Sequence, residues 1–99
     1  MTATQADAHT VTLIDPNRLS REGVARLLRE HGYVIKNGCS DLVGLIDYAS
    51  SDGHRTDFCI IDSSALSDDI ESDLRNIRKH VPDTRIIVFI EGSESNMRV

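Results

Sequence analysis

Tryptophan is missing from this chain, and only four of its 99 residues are aromatic. Aliphatic side chains must therefore supply nearly all of any core, and a chain this short buries a modest share of its surface. Basic residues are the next scarcity. Eleven Lys and Arg against sixteen Asp and Glu leave a net charge of −5. That balance lacks the cationic footprint of a phosphate-binding surface, so DNA binding by these residues is not expected. No apolar run approaches the roughly 20 residues of a membrane span. The opening MTATQADAHT has no charged-then-apolar signal pattern, so a cytoplasmic location without membrane contact is the expectation. The two cysteines, Cys39 and Cys59, do not have metal-ligand spacing, and Cys59 lies inside an apolar run. Both read as buried reduced thiols. No Ser/His/Asp or Cys/His set is visible, His54 reads as a solvated loop residue, and no enzymatic activity is expected.

What is present is a regular alternation. Residues 1–9 are polar, small and aperiodic, and read as a mobile lead-in to a single domain over 10–99. Thr10 to Ile14 reads as a strand bounded by "DPN". From Asn17 to His31, Leu19, Val24, Leu27 and Leu28 recur at helical spacing, with Asn17 as N-cap and Gly32 as stop. Tyr33 to Lys36 reads as a second strand ended by "NG", and Ser40 to Ser51 as a helix capped by Ser40. Phe58 to Ile61 is apolar without alternation, as a strand covered on both faces should be. Ser67 reads as the cap of a helix over Asp68 to His80, with Ile70, Leu74, Ile77 and Val81 as its buried stripe. Its acidic start and basic end suit the helix dipole. Arg85 to Ile90 supplies a fourth apolar strand.

A β-α-β-α-β-α-β order predicts a doubly wound α/β fold, a parallel sheet with helices on both faces. Chemistry in such sheets gathers at the carboxyl ends of the strands, beside the point where strand order reverses. The first strand ends at Asp15 and the third region at Asp62. In a flavodoxin-like 2-1-3-4 order those carboxylates converge on neighbouring strands about 4.8 Å apart. Two ionised carboxylates so close repel, so one is protonated or a cation lies between them. Oxygen ligands of this kind suit Mg²⁺. The competing reading is that each aspartate caps its own loop.

Three segments, "LIDPNRLSREGVARLLREHGY", "DFCIIDSSAL" and "PDTRIIVFIEGSES", resemble receiver domains of two-component response regulators, particularly the NarL/LuxR type. The resemblance spans residues 10–95 and implies the flavodoxin-like (CheY-like) fold without its last strand and helices. It places Asp62 on the phospho-accepting aspartate and Asp15 on the first of two acidic metal-site residues. The second acidic position is Pro16, the hydroxyl position after the fourth strand is Ile90, and the family's proline is Leu66. No counterpart exists for the family's lysine. Pro16 removes a carboxylate ligand and an N–H donor, and Ile90 offers no hydroxyl to an acyl phosphate. A weak Mg²⁺ site on Asp15 and Asp62 is the most that is expected, with no other cofactor. Arg18 is a candidate charge partner for the aspartates, and Glu91 a candidate third acid of the pocket; a solvated loop role competes for both. Ser63, Ser64 and Ser67 read as loop and cap hydrogen-bonders.

The reading that results is a degenerate receiver acting as a phosphorylation-independent interaction module in transcription control, any DNA contact lying in a domain beyond residue 99. An exposed fourth-strand edge, or an apolar face left uncovered beside it, predicts self-association. Two alternatives stand: a working receiver phosphorylated on Asp62 by a histidine kinase, and a small flavodoxin-like ligand-binding domain. The latter is disfavoured because "DPNRLS" carries no glycine for a phosphate loop.

Overall fold

A computed structural model describes residues 9–50 and 55–90. Four strands form one parallel sheet: β1 (Thr10–Ile14), β2 (Val34–Cys39), β3 (Phe58–Asp62) and β4 (Arg85–Phe89), in the order β2-β1-β3-β4. Between them run α1 (Arg18–Glu30), α2 (Leu42–Ser50) and α3 (Ile70–His80), with a short 3-10 turn at Ser63–Ala65. This is the expected flavodoxin-like arrangement. β1 is flanked on both sides, and its residues 11–14 are buried.

The helix ends follow from local chemistry. Asn17 caps α1, its Oδ1 accepting the Ser20 N–H at 3.0 Å. At the other end Gly32 has φ 92, and Gly32 and Tyr33 donate to Arg29 and Leu28 carbonyls. A side chain disfavours that left-handed backbone, so glycine suits the stop. Two expected caps move. Asp41, not Ser40, caps α2, accepting the Gly44 N–H at 2.9 Å. Asp69, not Ser67, caps α3, accepting the Ser72 N–H at 3.1 Å. Ser67 instead donates its N–H and hydroxyl to Asp73, which delays the helix start to Ile70.

β2 runs through Asn37 and Gly38 rather than ending before them. Val11 faces Ile35 while Thr12 faces Asn37, so Lys36 is the extra residue of a bulge. Asn-Gly is spent on that irregularity and not on a turn.

The two faces of the sheet differ. Beneath α2 and α3 lies the larger core: Ile14, Cys39, Leu45, Cys59, Ile61, Ile77 and Val81. Beneath α1 only Val11, Leu13 and Ala25 are buried, with Phe58, Ile60 and Leu28 partly covered. The expected two-sided cover of β3 therefore holds fully on one side only. Leu19 and Leu27 are 82% and 56% exposed, and Ile70 is 41% exposed. Periodicity had placed all three inside. The sheet-facing stripe of α1 is Arg21, Val24, Ala25 and Leu28, four residues at 3.6-residue spacing that do not include Leu19.

Candidate functional site

Asp15 follows β1 directly and is 7% exposed. Its N–H donates to the Cys39 carbonyl at 3.0 Å, which continues the ladder to β2. Its Oδ1 accepts the Asn17 N–H at 2.9 Å, closing a tight Asx turn across Pro16. Asp62 ends β3, and its Oδ2 accepts both the N–H and the hydroxyl of Ser64. It thereby caps the 3-10 turn. Both carboxylates line one crevice with Arg21, Val24, Ile60 and Phe89. Topology explains the meeting: β1 and β3 are neighbours, and both residues lie at carboxyl ends.

The crevice encloses about 10 Å³. That is space for roughly one water molecule. Mg²⁺ is usually held by one or two carboxylates and keeps several waters. Among the described residues no three His, Cys, Asp or Glu side chains stand together as a metal site. One oxygen of each aspartate is already taken by a backbone N–H. With those oxygens held in local turns, the crevice offers a divalent cation one remaining carboxylate oxygen from each aspartate.

Arg18 is not at the crevice. Its Nε lies 3.0 Å from Glu22 on the exposed side of α1. The cation that lines the crevice is Arg21, whose guanidinium donates to the Asp15 carbonyl at 2.6 Å. One helical turn separates Arg21 from the cap Asn17, so helical phase alone could have pointed to it. Ile90 is 60% exposed and outside the crevice wall, which Phe89 supplies instead. Leu66 packs against the larger core, and Pro16 is exposed. Glu91, His54, Ser51 and residues 1–8 of the lead-in lie outside the described residues, while His9, its last residue, accepts the Val34 N–H at 2.9 Å.

Among the described residues, Cys59, Cys39 and Asp57 have shifted pKa values. Burial pushes the Cys59 thiol up to about 12, with nearby Cys39 adding to the rise. Cys39 is raised by burial, partly offset by the hydrogen bond from Asn37. Both are free thiols, and a thiol so raised is a poor nucleophile. Asp57 is lowered, chiefly by the Thr10 N–H that donates to its Oδ2 at 2.9 Å. No helix among the described residues is long and apolar enough to cross a membrane.

No family model and no curated protein matched the chain in the comparisons made. Among solved structures, one of a response regulator protein from Burkholderia pseudomallei is similar, with a TM-score of 0.68 and 22% sequence identity. That protein was solved with a phosphorylated aspartic acid, a calcium ion and citrate. The match covers 83% of this chain but 46% of the other, so the chain spans under half its length. What the two share is the fold, a parallel sheet that brings two strand ends together at one rim.

Proposed function

We propose that this chain is an atypical receiver domain that acts without phosphorylation, as a signalling and interaction module in transcription control. The observation that supports this most is the state of the two strand-end aspartates. Phosphoryl transfer to a carboxylate leans on a divalent cation to neutralise the phosphoryl oxygens. Here Asp15 and Asp62 are turned into local turns around a crevice of about 10 Å³, with Pro16 where a second acid would stand. Ile90 brings no hydroxyl, and Arg21 holds a backbone carbonyl. Output then depends on binding. The apolar residues Ile87 and Phe89 of β4 and Ile90 just after it are 40%, 48% and 60% exposed, which favours a second copy across that edge. DNA contact would belong to a separate unit.

The second reading is a working receiver that takes phosphate from a histidine kinase. The shared crevice of Asp15 and Asp62 favours it. Incubation with Mg²⁺ and acetyl phosphate, followed by intact-mass spectrometry, separates the two. The expected result is no phosphoryl adduct. An adduct that disappears in Asp62→Asn would establish the second reading.

A further inference from the structure

Charge is unevenly divided along this acidic chain. Residues 10–40 carry five cationic side chains against three acidic ones, whereas residues 41–99 carry six against twelve. The structure gathers four of those five cations, Arg21, Arg26, Arg29 and Lys36, around one open groove of about 740 Å³ between α1 and β2. Glu22 is the only acid on its wall. Arg26 lies 3.9 Å from Glu30. Among the described residues no carboxylate pairs with Arg21, Arg29 or Lys36.

The groove also has an apolar side. Leu13 and Ile35 lie at its base, and Leu19, 82% exposed, stands on its rim. Its depth comes from small residues. Gly23 lies on the wall, and a Cβ built there meets nothing within 4 Å. The neighbouring β2 edge is interrupted by the Lys36 bulge, and a bulge with a lysine discourages strand addition. Side chains of an incoming segment can enter where another strand would not pair.

We propose that this groove docks an acidic segment of a partner protein, two or more carboxylates flanking a large apolar side chain. Unpaired cations around an apolar base are complementary to that chemistry. A nucleic acid fits less well, because the groove has no aromatic side chain on which a base could stack and the chain as a whole is net negative. The groove adjoins the crevice of Asp15 and Asp62, and Arg21 and Leu13 line both.

The probe is a fluorescent helical peptide with a central Leu flanked by Glu at one-turn spacing, read by anisotropy and by amide shift mapping. Shifts are expected at Ala25, Ile35 and Gly38. Arg29→Glu with Lys36→Glu should weaken binding about tenfold, whereas Arg75→Glu with Lys79→Glu on the outer face of α3 should not. Gly23→Met fills the groove without changing charge, and it should abolish binding while raising the melting temperature, since Met is the better helix former. Three results would overturn the proposal: equal binding by Gly23→Met, equal binding by a peptide with Ser in place of Leu, or tighter binding of a single-stranded oligonucleotide at the same residues.

Discussion

The two faces of the sheet are made by alternate residues of the same strands, yet they are finished differently. Cys59 and Ile61 of β3 are completely buried under α2 and α3, while their neighbours Phe58 and Ile60 are only half-buried beside α1. On β4 the contrast continues: Ile86 packs on the larger core, and Ile87 and Phe89 are 40% and 48% exposed. Among the described residues, two helices close one face and one helix closes part of the other. Stability therefore concentrates on the first face, and unsatisfied apolar surface on the second.

The most demanding test of that division compares two isoleucines. Ile77 is fully buried between α3 and the sheet, so Ile77→Ala should cost about 2–5 kcal/mol, the loss of transfer energy plus a cavity. Ile87→Ala removes the same atoms from the open face and should cost less than about 1 kcal/mol, in proportion to the smaller area buried. Urea unfolding at low protein concentration measures both. Should the Ile87 variant lose stability only as concentration rises, the open face is covered by a second copy, and the comparison becomes one between a core and an interface. A clean monomer by light scattering over a wide concentration range would remove that possibility.

A smaller effect concerns the single helix on the open face. α1 lacks a packed helical neighbour among the described residues, so its own ends carry more of its order. Asn17→Ala removes the acceptor for the Ser20 N–H and should cost about 1 kcal/mol. Hydrogen exchange should speed up throughout α1 and stay unchanged in β3 and α3. Uniform acceleration across the chain would mean that both faces open together.

The topology was readable from the sequence because helical and strand periods alternate, and parallel sheets of this size have few arrangements. Aspartates at two strand ends were readable for the same reason. What escaped was phase and competition between neighbours. Leu19 and Leu27 look core-facing by hydropathy, but Ala25 and Arg21 own the inward stripe. Ser40 and Ser67 look like caps, yet an aspartate one or two residues later accepts the N–H instead. Asn-Gly looks like a turn and became a bulge, because pairing with β1 continues past it as far as Cys39. Arg21, not Arg18, meets Asp15 because helical phase, not nearness in sequence, sets which arginine faces the strand end.

The gentlest test lies on the polar rim that joins the two faces. Asp57 accepts hydrogen bonds from the Thr10 N–H and hydroxyl, and its backbone N–H and carbonyl bind Thr10 and Arg85. It also lies 3.5 Å from His9 Nδ1. These donors favour the ionised form and lower its pKa, with the Thr10 N–H foremost. A carboxylate depressed in the folded state adds stability that is present above its unfolded pKa of about 4 and disappears as pH falls through the folded value. Asp57→Asn should therefore be less stable than the parent near neutral pH. The gap should narrow as pH falls below about 4 and close once pH passes below the folded value, while the Ile77→Ala deficit persists as long as the fold survives. Urea midpoints across that range decide it. A gap between Asp57→Asn and the parent that ignores pH would show that Asp57 holds the rim by shape and not by charge.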